Sequence, residues 1–230
     1  MSDDENDYQI LTEDITNADC SFKVIVIGDS SVGKSCLTLR GTKNKFKDFY
    51  TPTIGFEFLA FNIKIKNKTV RLQIWDTCGQ EIYRSLISSF YRNSTLAMLV
   101  YAIDNKESFV NLENWLDEIK CQTHPNLKIF LIGNKSDLEE KRVIHKETSE
   151  KFYKEHNFDY FIETSAKSGE NVQKVFIKAA QILYEEYNQH SENKDKNNGM
   201  TNNISLSSNY SDDIDEKDKD EIKKRNKCHC

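Results

Sequence analysis

Short apolar stretches alternate with amphipathic ones along most of the chain. The first, residues 22–27, is rich in β-branched side chains and stops at Gly28, which is typical of a buried parallel strand. Similar stretches predict five more strands at residues 56–66, 69–75, 96–101, 127–132 and 160–163. Helical periodicity predicts helices at residues 34–42, 107–121, 146–156 and 172–187.

The alternation of strands and helices determines the expected fold class. Units of this length predict an α/β fold, with a six-stranded, mostly parallel sheet and helices on both of its faces. In such sheets ligands bind beyond the carboxyl ends of the strands. The loops that follow the strands are therefore where we expect chemistry.

Length and charge limit the domain organisation. The chain has 230 residues, enough for one core domain with tails. We predict an acidic, disordered extension over residues 1–20, a globular domain over 21–188 and a disordered, polar tail over 189–230. A net charge of -5 argues against nucleic acid as a partner. The six scattered cysteines fit thiols in a reducing compartment, and no apolar run is long enough to span a bilayer.

The loop after the first predicted strand has the pattern G-x-x-x-x-G-K-S, from Gly28 to Ser35. A strand before it and a helix after it are the context in which this pattern binds nucleotide phosphates. Lys34 is predicted to reach the phosphate oxygens and act in catalysis, and the Ser35 hydroxyl to ligate Mg²⁺. The full set of residues predicted to line the phosphates is Asp29, Ser30, Ser31, Val32, Gly33, Lys34, Ser35 and Cys36.

The sequence Asn134, Lys135, Ser136, Asp137 follows another predicted strand and indicates the base. The carboxylate of Asp137 can accept two hydrogen bonds from guanine, whereas adenine has no such donor pair. An ATP-using P-loop kinase is the alternative that this sequence disfavours.

A third group of candidates follows the strand that contains Trp75. Asp76 is predicted to be the second carboxylate directed at Mg²⁺, Gly79 to donate its N–H to the γ-phosphate, and Gln80 to orient an attacking water. Thr53, in the sequence TPTIG, has a hydroxyl that could join Ser35 on the metal. These residues together predict GTP hydrolysis.

The sequences GDSSVGKS, TPTIGFEF, WDTCGQE, GNKSD and ETSAK resemble those of the Ras superfamily of P-loop GTPases, and of its Rab branch in particular. The resemblance covers about residues 20–188 and implies a G domain. It implies that Phe46 stacks on guanine, that Thr53 is a magnesium ligand, and that an effector-facing aromatic triad is present. The triad positions are Phe58, Trp75 and Phe90, and the further nucleotide contacts are Tyr50, Ser165, Ala166 and Lys167.

The chain ends in Cys228, His229, Cys230. A metal or redox site is disfavoured there because a disordered terminus cannot form a preorganised site. In Rab-like proteins such an ending carries a geranylgeranyl lipid on both cysteines, and two chains give stable anchoring. The resemblance thus implies the cytosol and the cytoplasmic face of endomembranes, with a hint of the Golgi. Basic residues near the end either assist at an anionic membrane or are merely solvated.

The resemblance also implies partners and leaves one alternative open. The expected partners of this monomer are an exchange factor, a GTPase-activating protein, escort or dissociation-inhibitor proteins, and effectors. Residues 44–52 contain no arginine that could assist catalysis, which predicts slow turnover accelerated by a partner's arginine. Cys78 replaces a customary alanine, so a GTP-binding scaffold that barely hydrolyses stays open as the alternative. Ile82 replaces an arginine, and Gly41 replaces a core phenylalanine, so the packing there must differ.

Overall fold

The structure is a computed structural model that describes residues 8–12, 15, 17–46, 56–77 and 91–197, with side chains as far as residue 191. Several sequence predictions lie outside the described residues, namely those for Tyr50, Thr53, Cys78, Gly79, Gln80, Ile82, Phe90, Cys228 and Cys230.

Seven strands form one sheet in the described part of the chain. They are β1 (Tyr8–Leu11), β2 (Cys20–Ile27), β3 (Phe56–Ile65), β4 (Lys68–Thr77), β5 (Leu96–Ala102), β6 (Lys128–Asn134) and β7 (Tyr160–Glu163). Their order across the sheet is β1-β3-β4-β2-β5-β6-β7. The pairs β1–β3 and β3–β4 are antiparallel and the other pairs are parallel. The predicted α/β class with a mostly parallel sheet is confirmed.

The described helices follow the predicted pattern with one division. They are α1 (Lys34–Lys43), α2 (Lys106–Val110), α3 (Leu112–Gln122), α4 (Lys146–Glu155), α5 (Val172–Asn197) and a 3₁₀ helix at Ser136–Lys141. The single helix predicted over residues 107–121 is divided at Asn111 into α2 and α3. The side chain of Asn105 caps α2 by accepting a hydrogen bond from the N–H of Ser108 at 3.1 Å.

The sheet has one strand more than the six that the sequence predicts. Residues 8–11 of the acidic extension form β1, which pairs along the edge of β3 from Asn62 to Ile65. Arg71 donates to the carbonyl of Ile15, and the carboxylate of Asp19 accepts from the N–H of Thr69 at 2.7 Å. The sequence predicted disorder at residues 8–11, and the structure shows a strand there. The prediction was wrong because the backbone partners of β1 lie some fifty residues further along the chain, on the edge of β3, and no local pattern reveals such a pairing.

Helices cover both faces of the central strands. Ile25 and Ile27 of β2 face α3, where they share a core cluster with Trp115. On the opposite face the ring of Phe176 in α5 packs 5.5 Å from that of Phe61 in β3. Because β2 is buried on both faces, its residues from Val24 to Ile27 are uniformly apolar rather than alternating.

The chain divides into two units, Met1–Glu186 and Tyr187–Cys230. The first contains the sheet. In the second, residues up to Asn197 are helical, although the sequence predicted a disordered tail from residue 189. None of the helices that the structure describes is long and apolar enough to cross a membrane.

Candidate nucleotide-binding site

The loop from Gly28 to Ser35 leaves the carboxyl end of β2 and turns into α1. Gly28 has φ 138°, and a Cβ there would lie 2.1 Å from the carbonyl oxygen of Val100. Gly33 has φ 93°, and a Cβ there would lie 2.4 Å from Nδ2 of Asn134. Only glycine fits these two positions, so the spacing of the motif reflects two close approaches of the backbone. Gly33 makes no side-chain cap hydrogen bond at the start of α1, and a helix N-terminus is a place where anions bind.

Lys34 is buried beneath this loop. Its ammonium donates to the carbonyl oxygens of Gly28 at 2.8 Å and Asp29 at 2.7 Å. These hydrogen bonds offset the cost of burying a charge, and they hold the ammonium at the place where phosphate oxygens are expected.

Asp76 is the buried carboxylate of the site. It lies near the end of β4, in register with Val26 of β2, and is fully buried. Neither of its oxygens has a hydrogen-bond partner within the described residues. Burial raises the pKa of Asp76 to about 6, although the nearby Ser35 hydroxyl and Lys34 ammonium oppose the shift.

A buried carboxylate with two unsatisfied oxygens fits a divalent cation. Mg²⁺ prefers oxygen ligands, and Ser35 with Asp76 supplies a hydroxyl and a carboxylate at one place. The third predicted ligand, Thr53, is outside the described residues. Cys36 adjoins the same carboxylate, and burial together with the charge of Asp76 raises the pKa of its thiol.

Asn134 ties the predicted base loop to the phosphate loop. Its Nδ2 donates to the carbonyl of Val32 at 2.9 Å, and its Oδ1 accepts from Thr164 Oγ1 and from the N–H of Ala166, both at 3.2 Å. The side chain is almost completely buried. It therefore joins three segments through one amide.

Asp137 and Ser165 meet at the edge of the predicted base pocket. The hydroxyl of Ser165 donates to Oδ1 of Asp137 at 2.5 Å, which orients the carboxylate. Asp137 is itself exposed, so its other oxygen is accessible to a ligand. Lys135 adopts φ 68° just before the 3₁₀ helix, and its ammonium lies 3.4 Å from Asp104.

Arg40 is a residue of this region that the sequence did not indicate. Its guanidinium donates to the carbonyls of Ala166 at 2.9 Å and Lys167 at 2.7 Å. The same group lies 5.8 Å from the ring centre of Phe46. The predicted base-stacking residue is thus connected to the loop of Ala166 and Lys167 through Arg40.

The structure brings most of the predicted residues to one edge of the sheet. The phosphate loop follows β2, Asp76 lies in the last two residues of β4, and Asn134 is the last residue of β6, so all three lie at the carboxyl ends of these strands. Three further residues, missed by the sequence, bind at this edge: Thr77, whose hydroxyl donates to the Val26 carbonyl at 2.7 Å, and Asn111 and Trp115, which donate to Asp29. Their patterns indicated only a strand end and a helix face.

This arrangement of a phosphate loop, a buried carboxylate and the Asn134 loop at one edge of the sheet is that of a P-loop nucleotide-binding protein. A family model described as Ras family matches residues 23–185, more than two thirds of the chain. The chain belongs to the Ras family of small GTPases. Members of this family bind GTP and GDP with Mg²⁺ and hydrolyse GTP, so the reaction predicted from the sequence is the one that the family performs.

Proposed function

We propose that this chain is a Rab-like GTPase that regulates vesicle traffic from the cytoplasmic face of endomembranes. The observation that carries the proposal is an exposed aromatic surface on β3 and β4. Phe56 and Phe58 are 45% and 50% exposed, and their ring centres lie 5.2 and 5.4 Å from that of Trp75. Clustered, exposed aromatic rings are typical of a surface that binds another protein. By the resemblance to the Rab branch, effectors bind at the positions that Phe58, Trp75 and Phe90 occupy in this chain.

In the proposed cycle the protein is a switch whose GTP-bound form is recognised. Bound Mg²⁺ would supply positive charge to the phosphates. Lys34 and the N–H groups of the phosphate loop bind the phosphate oxygens, and Gln80 orients the attacking water. Hydrolysis is slow in the isolated protein, and an activating protein accelerates it with an arginine.

The proposed partners of this monomer follow from the same assignment. An exchange factor loads GTP, effectors bind the GTP-bound state, and escort or dissociation-inhibitor proteins carry the lipidated chain through the cytosol. Geranylgeranyl groups on Cys228 and Cys230 hold it on a membrane, with the Golgi as the first compartment to examine.

The assignment of guanine as the base is tested by replacing the carboxylate of Asp137 with an amide. In Asp137→Asn the carboxylate becomes an amide, which suits the carbonyl at C2 of xanthine better than the 2-amino group of guanine. We expect the affinity for GDP to fall by ~10³-fold or more and that for xanthosine diphosphate to rise. Unchanged preference for GDP in competition binding would show that Asp137 does not read the base.

The switch is tested by single-turnover hydrolysis with and without an activating protein of the Rab type. We expect slow hydrolysis in the isolated protein, strong acceleration by the activator, and loss of that acceleration in Gln80→Leu. If wild type stays inactive with the activator while Cys78→Ala responds, the scaffold alternative holds. Equal and brisk rates for wild type and Cys78→Ala exclude it.

Membrane anchoring is tested with full-length protein that a geranylgeranyl transferase system has modified. We expect it to sediment with lipid vesicles, and the Cys228→Ser, Cys230→Ser double variant to stay in solution. Either single variant should bind weakly and reversibly, because one lipid chain gives only marginal anchoring. Adding anionic lipid tests whether the basic residues near the end contribute. Equal sedimentation of wild type and double variant would refute lipid anchoring.

A further inference from the structure

The side chain of Asp29, within the phosphate loop, is held by two residues at the start of α3. Nδ2 of Asn111 donates to Oδ2 of Asp29 at 2.7 Å, and the indole Nε1 of Trp115 donates to Oδ1 at 2.7 Å. Each carboxylate oxygen thus has its own donor. Both bonds are short and charge-assisted, which places them among the stronger hydrogen bonds in proteins.

Asp29 is also fixed through its main chain. Its carbonyl oxygen accepts from the ammonium of Lys34 at 2.7 Å. The residue is therefore held from one side by α3 and from the other by the lysine that serves the phosphates. A loop held from both sides keeps its N–H groups in place when no ligand orders them.

Neither donor is needed merely to build α3. Asn111 has helical dihedrals and makes no side-chain cap, while its main chain already bonds to Glu107 and Trp115. Trp115 is 1% exposed and packs in the core cluster beside Ile25 and Ile27. The direction of the two polar groups toward Asp29 is an additional feature.

The two donors also reduce the repulsion between the carboxylate of Asp29 and bound phosphates. A carboxylate in a loop that binds phosphates repels them unless its charge faces elsewhere. Asn111 and Trp115 turn this carboxylate toward α3 and satisfy both of its oxygens. Without them the acid is free to turn toward the nucleotide.

We propose that Asn111 and Trp115 are positioning residues that hold the phosphate loop through the carboxylate of Asp29 and so slow the release of GDP. This inference rests on the binding of guanine nucleotide at Gly28–Ser35. It extends that site to the start of α3, which contacts no part of the nucleotide in the assignments above.

The test uses the fact that the donor and the acceptor of the Asp29–Asn111 hydrogen bond can be exchanged between the two positions. In Asn111→Asp two carboxylates face each other, and we expect full-length protein to release fluorescent GDP about tenfold faster or more. Exchanging both residues, as Asp29→Asn with Asn111→Asp, restores a donor and an acceptor. The amide oxygen that Asp29→Asn introduces can still accept from Trp115, so we expect the rate to return to within about threefold of wild type.

The matched control is Asn114→Asp, the same change on an exposed position of the same helix. We expect its release rate to stay within about twofold of wild type, because surface charges have small effects. If Asn111→Asp does not fold, Asn111→Ala removes the donor without adding a charge, and release about fivefold faster is expected. Release at the wild-type rate from Asn111→Asp or from Asn111→Ala, or failure of the exchanged pair to restore it, overturns the proposal.

A second measurement separates positioning of the loop from general loss of structure. GMP has no β-phosphate for the loop to hold. We therefore expect the affinity of Asn111→Asp for GDP to fall about tenfold in competition binding and that for GMP to change less than about twofold. Equal losses for both nucleotides would overturn the positioning role. Wild-type protein that binds neither would instead contradict guanine nucleotide binding itself.

Discussion

The ring of Phe176 fills the space beside Gly41, and a Cβ built on Gly41 would lie 2.0 Å from Cε2 of that ring. Gly41 is buried in α1, and Phe176 is fully buried in α5. The sequence predicted unusual packing at Gly41 but could not name the side chain that occupies the site. Phe176 supplies the aromatic ring at this position from another helix.

This contact predicts an inverted response to a helix-stabilising substitution. Gly→Ala in a helix normally gains about 1 kcal/mol. Here the methyl group collides with a packed ring, and overpacking costs about 1 to 3 kcal/mol. We expect Gly41→Ala to lower the free energy of unfolding in urea.

The control for Gly41→Ala is a double-mutant cycle. Phe176→Leu alone creates a cavity and destabilises the protein. In Gly41→Ala with Phe176→Leu the methyl group occupies part of that cavity, so the combined loss should be smaller than the sum of the single losses. Additive losses would show that the two residues do not compete for space.

Arg142 provides a test of buried against exposed ion pairing. Its guanidinium binds both oxygens of Glu163 at 2.8 Å, and that carboxylate is 13% exposed, whereas Glu139 is 68% exposed. The hydrogen bonds that its guanidinium donates to Glu163 and Glu139 raise the pKa of Arg142 above its ordinary value. We expect Glu163→Gln to lower the free energy of unfolding by about 2 to 4 kcal/mol, because it leaves the largely shielded guanidinium with only the solvent-exposed Glu139 as its ion-pair partner.

Glu139→Gln is the matched control on the same arginine. It removes a pair exposed to solvent, so we expect a loss below about 1 kcal/mol in the same urea titration. Equal losses for the two variants would mean that burial does not distinguish the two carboxylates.

We expect Asn134 to contribute both to the stability of the domain and to the retention of bound nucleotide. In Asn134→Asp the donor to the Val32 carbonyl becomes an acceptor, and a carboxylate oxygen faces the negative end of the carbonyl dipole. We expect the free energy of unfolding to fall by about 1 to 3 kcal/mol and GDP release to accelerate tenfold or more. Asn126→Asp, on an exposed loop, should change neither. A variant at 134 that matches the 126 control would contradict the bridging role.

Cys20 should titrate far above the ordinary range of thiols. Burial, assisted by the charge of Asp19, raises the pKa of Cys20 to about 11. The thiolate is the reactive form, so below this pKa its amount rises about tenfold per pH unit. We expect alkylation of Cys20 by iodoacetamide to accelerate about a hundredfold from pH 8 to pH 10. Mass spectrometry of the Cys20 peptide measures the rate.

The exposed thiol of Cys121 is the internal reference in that experiment. At pH 8 we expect it to react at least about tenfold faster than Cys20 in the folded protein. In denaturant the two rates should become similar, because burial no longer applies. Equal rates in the folded protein at pH 8 would contradict the raised pKa.

The elements that the sequence predicted well are those with a local cause. The apolar run of β2 and the face of α5 follow from periodicity, and both strand and helix begin within a few residues of the predicted bounds. The strand β1 was missed because its pairing depends on the edge of β3. The division at Asn111 was missed because helical periodicity continues across it.

The residues of the candidate site likewise fall into those that the sequence indicated and those that only the structure revealed. The motif residues Gly28, Lys34 and Asp137 could be named from the sequence because their chemistry and spacing are themselves the signal. Arg40, Asn111 and Thr77 carry no such signal, since each acts on a main-chain or side-chain atom that is remote in the sequence. The predicted catalytic residue Gln80 stays a prediction, because it lies outside the described residues.

The sequence by itself determined the class of the protein, the phosphate loop and the choice of guanine, because each depends on residue types at short spacing. Only the tertiary structure decided that Trp115 holds Asp29 across 86 residues, that Phe176 fills the space at Gly41, and that β1 extends the sheet. Such contacts arise when elements formed locally pack together. Their partners are set by shape and burial in three dimensions, which periodicity along one segment does not record.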